Sequence, residues 1–172
     1  MNNPSTKRFT REIKAWISYD LGNSAFATTV VAAFFPIFYN QYWASNIDSV
    51  VSAQYLSWTL VISNVTLLFT APLIGAITDI SKITKKLFIS MVLISIICVA
   101  LLYTLEAGSW LYALVFFGIA NYFFSASNVL YDKILVQIAS PDLFSKISGY
   151  GFAWGYFGGG LLFLINALMS LY

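Results

Sequence analysis

Histidine is absent from the 172 residues, and with it the commonest general base and metal ligand near neutral pH. Metal-binding spacings such as HExxH cannot be written without it, so neither a metal nor a cofactor is expected, and no enzymatic activity. Cysteine occurs once, at Cys98. An intrachain disulfide is therefore impossible, and the thiol reads as ordinary packing. Charge is sparse as well, with 9% of residues charged against 59% hydrophobic and a mean hydropathy of +0.78. Those proportions do not suit a water-soluble globular domain and define an integral membrane protein.

The few charges leave long gaps. Leu21–Ile47, Ser49–Thr78, Leu87–Leu105, Ala107–Tyr131 and Ile147–Tyr172 contain no Asp, Glu, Lys or Arg. A helix needs about 20 residues to cross a bilayer, so each gap holds one. None shows the sustained alternation of a membrane barrel strand, and in lipid a helix is the other way to satisfy every backbone group. The expected fold is all-α, with a cytoplasmic tail over 1–14 and a membrane domain over 15–172. Its five transmembrane helices fall at about 16–43, 54–78, 87–105, 110–131 and 148–171. Ala25-Phe26-Ala27 has the small-x-small form of a processing site, but the apolar run continues well past it and Asp20 interrupts what precedes it. An uncleaved helix is the better reading.

All nine basic residues fall on one side of that arrangement. Lys7, Arg8, Arg11 and Lys14 precede the first helix, Lys82, Lys85 and Lys86 lie between the second and third, and Lys133 and Lys146 lie between the fourth and fifth. Basic residues favour the cytoplasmic side, which places the N-terminus in the cytoplasm and the C-terminus outside, in the cell membrane. The net charge of +2 then reports topology and attraction to anionic headgroups, and implies no nucleic-acid partner.

Three patterns stand out against the apolar background. On the first helix, Asp20, Asn23, Ser24 and Ala27 share one face, so the polar groups can turn away from lipid. Asp20 can cap the positive end of the helix, bond to another helix, or contact a solute or coupling proton. On the fourth helix, Asn121, Ser125, Asn128 and Asp132 recur at offsets of four, three and four and again share a face; interhelical hydrogen bonding and a solute pathway both fit. On the fifth, Gly151, Gly155 and Gly159 recur every fourth residue and Gly158 widens the ridge, which suits close helix packing, static or sliding. Tyr19-Asp20 and Tyr131-Asp132 have the Tyr-Asp form of intramembrane aspartyl proteases, but the Gly-x-Gly-Asp partner motif of those enzymes is missing.

The stretch REIKAWISYDLGNSAFATTVVAAFFPIFY resembles the opening helix of the vacuolar-effluxer-like branch of the major facilitator superfamily. That branch includes the fungal autophagy-linked vacuolar amino acid effluxer and bacterial relatives. The family's Tyr-Asp-x-x-Asn-Ser-Ala-Phe core is matched by Tyr19, Asp20, Asn23, Ser24, Ala25 and Phe26. SNVLYDKILVQIASPDLFSKISGYGFAWGYFGGGLLFLIN is similar to the family's stretch from the end of the fourth helix through the fifth. APLIGAITDISKITKK is similar to the superfamily's signature loop after the second helix, with Gly75 and Asp79 in place, Lys82 where a glycine usually stands, and Lys85 and Lys86 in the basic cluster that follows. Asp132 occupies a position usually held by Asn, and Val136 one often held by Pro.

The resemblance implies an incomplete N-terminal half of a bundle of about twelve helices, in which substrate is held between two halves near the bilayer midplane. On that reading the chain is the N-terminal part of a secondary transporter for small solutes, amino acids among them, with its C-terminal half encoded separately. The alternative is a membrane-inserted remnant of a truncated or split transporter gene that moves nothing. Asp20, Asn23, Asn121, Ser125, Asn128 and Asp132 are the resulting candidates for solute or ion contact.

Overall fold

The computed structural model describes residues 9–81 and 83–169; Lys7, Arg8, Lys82 and Tyr172 lie outside them. Five helices are long and apolar enough to cross a membrane: α1 (Arg11–Trp43), α2 (Ser49–Ser81), α3 (Thr84–Thr104), α4 (Trp110–Ile138) and a last span, Pro141–Met169, whose regular part is α5 (Phe144–Met169). No strand occurs among the described residues.

Polar residues cap two of the helix starts. Thr10 accepts a hydrogen bond from Ile13 N at 3.3 Å, which starts α1 at Arg11 with Glu12 in its first turn, where the helix dipole favours an acid. Asp48 Oδ1 accepts from Val50 N at 2.9 Å and Val51 N at 3.3 Å at the head of α2. Between α3 and α4 the chain turns at Gly108, whose φ of 84° suits a residue without a side chain, and Gly108 N donates to Tyr42 O at 3.2 Å.

Prolines disturb the membrane helices at two places. Pro72 sits inside α2, and Pro36 in the second half of α1, between the widened π-helical turns Phe26–Phe34 and Tyr39–Trp43. Proline has no N–H and its ring crowds the carbonyl one turn earlier, so a register change beside Pro36 has a local cause. Several hydroxyls of α2 are satisfied within that helix: Ser57 donates to Ala53 O at 2.9 Å, Thr66 to Ile62 O at 2.7 Å, Thr70 to Thr66 O at 2.9 Å and Thr78 to Ile74 O at 2.8 Å. This back-bonding lets Ser and Thr face lipid without an unpaired donor.

The described residues form two compact units, one from the N-terminal part up to Val30 together with Leu135 onward, the other Val31–Ile134. In the first, α1 and α5 run parallel, since later residues of one meet later residues of the other: Trp16 beside Gly151, Asp20 beside Gly151 and Gly155, Leu21 beside Gly158, and Thr28 beside Gly159. In the second, α2 and α4 are parallel, from the Tyr55–Trp110 ring stack at 5.2 Å to Lys133 on Gly75, Thr78 and Asp79. Helix α3 runs antiparallel to α4, with Ser95 Oγ donating to Ala120 O at 2.9 Å and the Phe88 and Tyr131 rings 6.5 Å apart. Ile74, Met91, Ala126 and Leu130 form the core where these three helices meet. Nearer the other end of the unit, Phe35 stacks on Phe117 at 3.7 Å.

Candidate functional site

In the first unit the site is built on α1. Asp20 is 7% exposed, its Oδ1 accepts from Asn23 Nδ2 at 3.4 Å, and no cation among the described residues pairs with it. Asn23 Oδ1 is buried without a hydrogen-bond partner among the described residues. A carboxylate and an orphaned carbonyl oxygen therefore stand one turn apart with spare capacity to accept protons or coordinate a cation, in surroundings where an uncompensated charge is costly.

The glycines of α5 make this proximity possible. A Cβ at Gly151 would lie 3.4 Å from Asp20 Oδ2, one at Gly155 would lie 3.1 Å from the same oxygen, and one at Gly158 would lie 2.5 Å from both Leu21 Cγ and Leu21 O. At Gly159 the added atom would be 3.2 Å from Ser24 O. Thr28 Oγ1 donates to Ser24 O at 2.9 Å and lies 3.4 Å from Gly159 O. Backbone approach this close is what small residues supply in membrane helices.

In the second unit, Asn121 is buried and its Nδ2 donates to Ser63 Oγ at 3.0 Å, while Ser63 Oγ donates to Gly118 O at 3.2 Å. Ser125 and Asn128 are half-buried, and Asn128 Oδ1 has no partner among the described residues. Asp132, at the end of the same stripe, is exposed. Asn121 thus joins α2 to α4, whereas Asn128 keeps an unused acceptor. An apolar cavity of about 380 Å³ opens between these helices, with Thr59, Thr66, Leu114, Gly118 and Tyr122 among its lining.

The loop residues meet a partner that the sequence pattern does not reveal. Lys133 Nζ lies 3.0 Å from Gly75 O, 2.7 Å from Thr78 Oγ1 and 2.5 Å from Asp79 Oδ1. A cation at the C-terminal end of α2 complements its dipole, so Lys133 ties the ends of α2 and α4 together. Lys85 and Lys86 are exposed, and Lys82 lies outside the described residues. Lys133 was legible only as a topology signal, because a pairing across 54 positions leaves no local spacing. Ser63 and Thr28 also escape a pattern search, being single hydroxyls in apolar runs.

These features define a multi-pass, all-α membrane protein with polar side chains gathered inside its helix packing. No family model matches the chain, and no solved structure matches it. Over 166 residues, 96% of its length, it is 34% identical to YxiO of Bacillus subtilis (strain 168), an uncharacterised transporter of the major facilitator type. The chain spans 39% of that protein's length. The likeness, running through all five helices, supports membership of the major facilitator superfamily.

Proposed function

We propose that the chain is the N-terminal portion of a secondary transporter that moves small solutes, amino acids among them, of the vacuolar-effluxer-like kind. The observation that carries this reading is the likeness to a transporter along almost the whole chain. The geometry adds to it, because an unpaired buried carboxylate beside a close-packed glycine ridge suits an ion or solute amine that binds and leaves. The remaining helices of such a transporter complete the pathway, whether they continue this polypeptide or come from another. Asp20 and Asn23 serve as contact for the solute or its coupling ion.

The protein sits in the cell membrane with its N-terminus in the cytoplasm. Its basic residues set this orientation, so a reporter inserted near Thr84 is cytoplasmic and one fused after Tyr172 external. A cytoplasmic signal from the second fusion refutes the orientation. The function is tested by intracellular amino acid pools: cells overproducing the full-length protein hold smaller pools of the exported solutes than cells making equal amounts of the Asp20→Asn variant. Identical pools across the amino acids count against export of that class.

A further inference from the structure

Asp20 precedes Ala27, the middle residue of the Arg11–Trp43 span, by about two helical turns. At 1.5 Å per residue it stands about 10 Å from the middle of α1, inside the roughly 15 Å half-thickness of the hydrocarbon. Its short side chain cannot carry the carboxylate to the interface as a lysine or arginine stem would. The group is 7% exposed, and a charge so buried needs a positive one beside it. No described lysine or arginine supplies it.

Three neighbouring side chains of α1 present oxygens with almost nothing to bind. Asp20 Oδ1 receives one donor, Asn23 Nδ2 at 3.4 Å. Asp20 Oδ2 and Ser24 Oγ both crowd the space over Gly155, where an added Cβ would lie 3.1 Å from the carboxylate oxygen and closer still to the hydroxyl. The two oxygens are therefore neighbours, yet Ser24 Oγ takes part in no hydrogen bond among the described residues. Asn23 Oδ1 is buried without a partner among the described residues. An ionised carboxylate offers about four lone-pair sites and an amide carbonyl two, so acceptors far outnumber donors on this turn. A proton would neutralise Asp20 but leave the Asn23 carbonyl oxygen orphaned. A hard metal cation answers both needs, because carboxylate, carbonyl and hydroxyl oxygens are the ligands it takes. One carboxylate balances one positive charge, whereas a divalent ion would leave a buried charge uncompensated. The close approach of α5 at Gly151 and Gly155 favours a small ion.

We propose that Asp20, Asn23 and Ser24 form a binding site for an alkali cation, sodium before potassium, and that this ion is the one coupled to solute movement. Asp20 Oδ2 and Ser24 Oγ supply the first oxygens. Asn23, whose amide carbon carries both the nitrogen on Asp20 and the free oxygen, supplies the third by turning about its side-chain bond. The inference rests on the transporter reading, but its test needs no flux. The melting temperature of purified full-length protein is followed in sodium, potassium and choline chloride at equal ionic strength, with no solute present. An ion that binds only the folded state raises that temperature with concentration. Sodium therefore raises it by a few degrees over choline, saturably, and potassium raises it less. Asp20→Asn loses the shift, and Ser24→Ala needs about tenfold more sodium or more for half of it. Equal melting temperatures in all three salts overturn the proposal, and so does a sodium shift that survives Asp20→Asn, since the ion then binds elsewhere. A shift as large in potassium overturns the choice of ion. Should Asp20→Asn fail to fold, an unchanged half-effect concentration in Ser24→Ala overturns the site. Solute exchange that runs equally well without sodium, in a protein with no sodium shift, removes the ion site and leaves the transporter reading standing; a sodium shift in a protein that moves no solute does the reverse.

Discussion

Gly158→Ala lowers the yield of folded, monodisperse protein in detergent and its melting temperature, although it adds a single methyl group. The new Cβ would stand 2.5 Å from Leu21 O and 3.0 Å from Leu21 C. A side chain could rotate aside, but backbone cannot, so α1 and α5 must separate along their contact. Overpacking of this kind costs about 1–3 kcal/mol and occasionally more, and here it also loosens the contacts of Gly155 with Asp20 and Ser24. Gly155→Leu acts in the same direction, through Ser24 and Asp20. Gly160→Ala is the internal control, because nothing lies within 4 Å of the added atom, and exchanging Gly for Ala in a helix is neutral or gains about 0.5–1 kcal/mol. Equal tolerance at 158 and 160, measured by fluorescence-detected size exclusion after heating, would show that the ridge does not hold α1.

Asp20→Asn separates charge from shape. Asparagine matches aspartate in size and can still accept from Asn23 Nδ2, so the 3.4 Å contact survives. Removing an unpaired buried charge does not destabilise a fold and can stabilise it. The variant therefore inserts to wild-type levels and melts no lower. Transport is another matter if the carboxylate pairs with a solute amine or a coupling cation. Losing one partner of a desolvated charge pair costs about 2–5 kcal/mol, and each 1.4 kcal/mol is about tenfold in affinity. Flux at low solute concentration accordingly falls by about thirtyfold or more. A variant that transports normally confines Asp20 to a structural role, and one that fails to insert shows that the carboxylate is needed for folding.

The five spans are legible from charge alone, because a bilayer tolerates so few ionised groups that their absence marks each crossing. Helix pairing is harder to read. The lipid-facing and core-facing sides of a membrane helix are equally apolar, so the periodicity that orients a helix in a soluble protein is weak. Leu68 at 70% exposure and Leu130 at 0% look alike in sequence. The glycine spacing on α5 marks a face for close approach, and Asp20 and Asn23 share a face by their spacing of three. Nothing in either pattern says that the two faces meet, since that contact joins residues more than a hundred positions apart. The seat of Lys133 on α2 is likewise a tertiary fact.

Counterflow in reconstituted vesicles tests the central claim most directly. Full-length protein is placed in vesicles preloaded with unlabelled amino acids, and radiolabelled amino acids are supplied outside at low concentration. Exchange needs no driving ion and reports solute binding and the return of the site in one signal. The account predicts a transient accumulation of label that saturates with concentration, is absent from empty vesicles, and falls by about thirtyfold or more in Asp20→Asn at matched protein. Label that equilibrates no faster than in empty vesicles, across amino acids and other small polar solutes, would contradict it.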